Sequence, residues 1–180
     1  MINRFLIPVV VFVLLAVVLA IGVKHSPDKG IIPSPLIGKP APQFSLPSLA
    51  DATHTVSSVG LRGHWYLLNV WGSWCGTCRE EHQMLLEVRR SGRVELVGLD
   101  WKDDDAQARG YLQQLGDPYE VVAADHDGRA AIDWGVYAAP ESFLVDPQGI
   151  VVYKCMGELT PDIWAKEILP RLPKAQAASS

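Results

Sequence analysis

The chain has 180 residues, enough for one domain with a full hydrophobic core and short for two. Its net charge of −4, with no Lys/Arg cluster, argues against nucleic acid as the main partner. Three cysteines, two of them in one short motif, do not make a disulfide framework.

Much of the 48% hydrophobic content lies in Phe5 to Val23, a run of 19 residues without a charge. At about 1.5 Å per residue such a helix roughly crosses the ~30 Å hydrocarbon core of a bilayer. Pro8 sits near its start, where a helix tolerates proline best. Arg4 precedes the run, so the positive-inside rule puts the amino terminus in the cytoplasm and the rest of the chain outside. Ala20-Ile21-Gly22 offers a competing signal-peptide cleavage site, but the run exceeds the usual core of roughly 7–15 residues. Residues 1–23 are therefore expected to be a membrane anchor. Pro27, Pro33 and Pro35 mark 24–36 as an extended linker that holds the domain off the membrane. The folded domain is expected over 37–173, and 174–180 reads as a frayed tail.

The domain opens with Gly38-Lys39-Pro40-Ala41-Pro42, whose prolines suit an edge segment. Thr53 to Ser57 is a weak short strand. Trp65 to Trp71 is a central strand, apolar on both faces except for Asn69, as in a sheet covered by helices. A helix follows Cys75 to about Arg90, with Met84, Leu85 and Val88 on one side. Val94 to Leu99 is a second buried strand, and Ala106 to Leu115 a helix closed by Gly116. Tyr119 to Ala124 is a strand, and Gly128 to Trp134 a short helix stopped by Gly135. Glu141 to Val145 and Ile150 to Cys155 flank the turn Asp146-Pro147-Gln148-Gly149 as a hairpin. Thr160-Pro161 starts a closing helix that puts Ile163, Trp164, Ile168 and Leu169 on one face.

Trp74-Cys75-Gly76-Thr77-Cys78 falls at the junction of the central strand and its helix. Unpaired N–H groups and the helix dipole favour a thiolate there, and the thiolate is the species that attacks disulfides. Strand, C-x-x-C and helix together make a thioredoxin-like redox motif, with Cys75 attacking and Cys78 resolving. Cys75 is expected to be the more exposed of the two. A structural zinc site would need two more ligands, and no second paired motif supplies them. Haem attachment needs histidine after the second cysteine, where Arg79 stands.

Glu81 lies one turn past Cys78 and, if buried, can move protons to the cysteines. Pro140 precedes a strand, where a cis bond would leave backbone groups free for an extended substrate. Asp100 ends a strand on the side where α/β sites gather. Asp103-Asp104-Asp105 reads as a helix-start cluster, Cys155 as a small buried hydrophobe, and Trp71 and Trp74 as a shield over the disulfide.

The anchor, Gly38-Lys39-Pro40-Ala41-Pro42, Asn69 to Cys75, Cys78-Arg79-Glu80-Glu81-His82 and Gly135 to Asp146 together resemble the DsbE/CcmG family. These are membrane-anchored thiol-disulfide oxidoreductases of cytochrome c maturation. The resemblance implies a thioredoxin-like α/β fold, a mixed central sheet flanked by helices, with an inserted helix–strand unit. It implies that Cys75 and Cys78 reduce a disulfide in apocytochrome c or in another thiol protein of that pathway. Electrons would come from a membrane thiol transporter of the DsbD/CcdA type. Glu81 matches the family's acid near the active site, Pro140 its cis proline, and Glu141 its loop acid. Cys75, Cys78 and Glu81 are thus the candidate catalytic residues, and Trp74, Tyr137, Pro140 and Glu141 the candidate substrate-binding ones, with no metal and no cofactor. The chain departs from the family in having Gly76-Thr77 between the cysteines, where proline is common, and Ala138 where glycine stands. A general disulfide or peroxide-linked oxidoreductase, and a non-catalytic scaffold holding apocytochrome, are the competing readings.

Overall fold

The computed structural model describes residues 6–24 and 34–173. The expected linker falls largely outside the described residues, at 25–33, and the expected tail entirely so. The chain divides into two units, Met1–Ile32 and Pro33–Ser180.

The first unit holds helix α1, Leu6–Lys24. Its described side chains, 8–19, are all exposed. Among the described residues no helix is long and apolar enough to cross a membrane.

The second unit is built on a five-stranded sheet. Its central strand β3, Tyr66–Trp71, is buried at every position, as a strand covered on both faces must be. Helix α2, Gly76–Ser91, carries the chain to β4, Glu95–Trp101, which lies parallel to β3. Helix α3, Asp105–Leu115, then leads to β5, Val121–Asp125, parallel to β4 at the sheet edge. The expected inserted helix and strand are α3 and β5. After α4, Arg129–Asp133, strands β6, Glu141–Val145, and β7, Val151–Met156, form the hairpin on the other side of β3. The spatial order is β5-β4-β3-β6-β7. Ahead of the sheet, β1 (Ser45–Pro47) pairs antiparallel with β2 (Thr55–Ser57), and Pro40 bridges Ile150 at an edge, where its missing N–H costs no ladder bond.

Strand alternation sorts the core into two layers. Leu67, Trp71 and Leu96 face Met84, Leu85 and Val88 of α2 and Leu112 of α3, and this layer contains Cys75 and Cys78. Tyr66, Leu68, Val70, Val97 and Leu99 face the opposite layer with Phe44, Trp134 and Phe143. Gly98 on β4 is required by close packing: a side chain there would meet the Trp71 indole at 2.8 Å.

The closing segment departs from a regular helix. Thr160 caps α5, Pro161–Ile163, by accepting from the Ile163 N–H, with proline at the first position as expected. The chain continues as a π-helix over Trp164–Ile168 and a 3-10 turn over Leu169–Arg171. Pro170 supplies the physical reason, since it has no N–H to donate and its ring crowds the carbonyl four residues back. Ile168 still reaches full burial, and Ile163, Trp164 and Leu169 pack partly buried against the same layer.

Candidate active site

Cys75 is the N-cap residue of α2, with extended backbone, and its sulfur accepts from the Cys78 N–H at 3.1 Å. The two cysteines are joined as a disulfide, with Cα atoms 5.3 Å apart. A helix-start N–H aimed at Cys75 Sγ is the donor a thiolate there would use. The expected contrast in exposure is slight: Cys75 is 5% exposed and Cys78 2%. The neighbouring Trp74 is 54% exposed.

The loop before the disulfide is clamped from β4. Trp74 Nε1 donates to the Trp101 carbonyl at 3.1 Å, and the two indoles meet edge to face. The Trp74 ring lies so close over Gly72 that any side chain at 72 would collide with it. Ser73 donates through its N–H and its hydroxyl to the Asp103 carboxylate, the latter at 2.8 Å. The acidic triplet therefore divides its work. Asp103 holds the cysteine loop, Asp104 caps α3 by accepting from the Ala106 and Gln107 N–H groups, and Asp105 occupies the first turn.

Behind the cysteines, Glu81 is buried with 1% exposure. Its Oε1 accepts from Asn69 Nδ2 at 2.9 Å and its Oε2 from the Leu159 N–H at 2.7 Å. Burial pushes its carboxyl up to about 7, against the lowering effect of those two donors and with a further push from Glu158. Asn69, the polar exception in β3, donates also to Ser142 Oγ at 3.0 Å and accepts from the Tyr119 hydroxyl at 2.7 Å. His82, the next residue on α2, is buried against Gly116 O at 2.8 Å, and desolvation holds it below its ordinary value. Asp100 is buried, its Oδ1 without a partner among the described residues, and burial first, then Asp103, pushes it up to about 8.

The Ala139–Pro140 bond is cis, which no reading of composition or spacing could establish. Ala139 packs against the layer holding the cysteines, and among the described residues its N–H and carbonyl have no hydrogen-bond partner. Tyr137 is 83% exposed. Glu141 is turned to the opposite face of the sheet, in step with Phe143, and is buried. There it is ion-paired with Lys154 at 2.8 Å and accepts from the Tyr137 N–H at 3.2 Å. The structure thus brings Cys75, Cys78, Glu81 and Ala139 to one side of the sheet, with Trp74 beside Cys75 and packed on Trp101, and sets Glu141 beneath the Tyr137 loop on the other side. Cys155 is buried, and burial pushes its thiol up to about 12, so it stays protonated.

Sequence reasoning missed Tyr119, Ser142, Asp103 and Gly72 as parts of this site. Asn69 was visible as an anomaly in an apolar strand, but its partners come from three separate elements. Among the described residues no group of three or more His, Cys, Asp and Glu side chains could hold a metal ion.

Residues 36–168 match the Redoxin family. The chain is 46% identical to a thiol:disulfide interchange protein DsbE of Allochromatium vinosum, over 97% of this chain and 95% of that protein. It is 42% identical to a thiol:disulfide interchange protein DsbE of Yersinia pestis, over 96% and 94% of the two chains. The fold is similar to that of MTB dsbF, solved in mixed oxidised and reduced forms. That match has a TM-score of 0.60 and 27% identity, and covers 73% of this chain and 92% of the other.

Proposed function

Because the chain belongs to the Redoxin family and to the DsbE thiol:disulfide interchange proteins, and is a thiol-disulfide oxidoreductase, we propose that it is a reductant of cytochrome c maturation. Its substrate is a disulfide in apocytochrome c or in another thiol protein of that pathway. The observation that carries this reading is the Cys75–Cys78 disulfide at the first turn of α2, with a buried acid one turn behind it.

The working cycle starts from the dithiol. The Cys75 thiolate attacks one sulfur of the substrate disulfide, forms the mixed disulfide and expels one substrate thiolate. Cys78 gives up its proton and attacks Cys75 Sγ, which closes the ring and expels the second substrate thiolate. Two electrons pass to the substrate. Glu81 in its carboxylate form is the base that takes the Cys78 proton, and in its acid form it returns one when the pair is recharged. A buried carboxyl with a midpoint near 7 populates both forms at neutral pH. Trp74, Tyr137 and the free backbone groups beside Pro140 form the surface that receives the substrate chain.

The dithiol is restored by a membrane dithiol of the DsbD/CcdA transporter class, whose own pair becomes oxidised. The apolar run in 1–23 anchors the protein in the bacterial inner membrane, with the oxidoreductase domain on the periplasmic side. Cys78→Ser leaves the mixed disulfide unresolved and should trap the partner on Cys75. Recovery of a C-x-x-C-H protein or a membrane thiol transporter is the expected result. A trapped partner set with neither would overturn the cytochrome assignment.

A further inference from the structure

The mechanism gives no role to the buried amide that adjoins Glu81. Asn69 stands in the middle of a strand whose other residues are all apolar, with 0% exposure. Such a side chain costs stability unless every donor and acceptor is matched. Here they are matched in a way that leaves the amide one orientation.

The Tyr119 hydroxyl donates to Oδ1, and the two Nδ2 protons go to Glu81 Oε1 and Ser142 Oγ. The second oxygen of Glu81 faces another donor, the Leu159 N–H. Glu81 therefore sees only N–H groups from both sides. As a carboxylate it has a donor on each oxygen. As an acid its own O–H gains no acceptor within this network unless the Asn69 amide flips to offer Oδ1. A flip would turn Nδ2 toward Tyr119 and strand the phenolic proton, which is the cost that Tyr119 imposes. Tyr119 belongs to the loop between α3 and β5, stacked on Trp71 at 5.6 Å. The insertion thus reaches the acid through a single hydroxyl.

We propose that Asn69 is a positioning residue for disulfide exchange: locked by Tyr119 and Ser142, it presents only N–H to Glu81 and holds that side chain ready to accept a proton from the cysteine pair. The proposal rests on the reading of Glu81 as the acid–base group. Other ionisable groups that act on Glu81 are Glu158 in the loop after β7, Cys155 on β7 and Tyr111 on α3, and its neighbours along α2 are Cys78, Arg79 and His82. All of them remain in the variants below, so a change between variants isolates the amide.

The test uses the full chain with carboxyl-labelled glutamate, titrated by NMR and assigned by its loss in Glu81→Gln. The pH profile for reduction of the Cys75–Cys78 disulfide by dithiothreitol is recorded in parallel. Tyr119→Phe keeps the stacked ring and frees the amide to flip. It should raise the Glu81 midpoint by about half to one pH unit, the equivalent of one hydrogen bond, and displace the profile equally. Ser142→Ala removes the other anchor without a large cavity and should move both in the same direction by less. In a Glu81→Gln background neither change should displace the profile further. A midpoint unmoved by Tyr119→Phe in a folded protein overturns the proposal alone, as does a profile shift that persists without Glu81. A Glu81→Gln profile identical to wild type would remove the reading of Glu81 itself, and the proposal with it.

Discussion

The two faces of the sheet bury acids in opposite ways. On the cysteine face, Glu81 and Asp100 have no cation beside them among the described residues, and burial pushes both well above the carboxylate range. On the other face, Glu141 is paired with Lys154, and Asp125 spends its carboxylate on the Ala130 and Ala131 N–H groups at the start of α4. Alternation along β6 makes the division sharp. Ser142 serves the Asn69 network while its neighbours Glu141 and Phe143 belong to the opposite layer. An uncompensated buried acid is costly and can carry a proton; a compensated one holds a loop. The difference separates the side that does chemistry from the side that supports it.

The largest effect that would test this division is Cys75→Ser, which should reduce disulfide exchange with a small dithiol to background while far-UV dichroism and melting stay near wild type. Residual turnover above background would mean that chemistry lies elsewhere. The counterpart on the supporting face is Phe143→Ala. Phe143 is fully buried, edge-on to Trp134 at 5.0 Å, and its loss should cost about 3–5 kcal/mol in denaturant unfolding. Exchange per folded molecule should remain within about twofold, since no reacting atom touches that layer. A large loss of rate would show that the two faces are coupled.

A smaller and more informative effect is the pH dependence of stability. Glu81 is raised in the folded state above its ordinary 4.5, so the native protein keeps a proton that the unfolded chain has lost. Its contribution to stability is complete below about 4.5 and is lost as pH rises through about 7. At 1.36 kcal/mol per unit, that interval caps the loss on the order of 3 kcal/mol. Asp100 acts with the same sign up to about 8, whereas His82, held below its ordinary value, acts with the opposite sign. Glu81→Gln should therefore flatten the stability curve between 4.5 and 7 relative to wild type. Equal slopes in the two proteins would mean that Glu81 binds its proton no more tightly in the folded chain than in the unfolded one.

Most elements were readable because their signals are local. Continuous apolar runs marked the central strands, Thr160-Pro161 marked a helix start, and Gly116 a helix end. The C-x-x-C and Glu81 were legible for the same reason, since one helix carries them and their spacing places them on successive turns. Where Pro170 widened and tightened the closing turns, the apolar pattern was right and the helix type was not.

What sequence alone determined, then, is the chemistry: two thiols at a helix start, an acid one turn on, and a sheet with helices to hold them. What only the tertiary structure decided is the setting of that chemistry. Tyr119 and Ser142 lie 50 and 73 positions from Asn69, and Asp103 lies 30 from Ser73. Each contact depends on strands brought side by side and on burial that removes water from between them. A residue's spacing along the chain carries no trace of a partner that distant, and its proton affinity is set by that partner and by the dielectric around both.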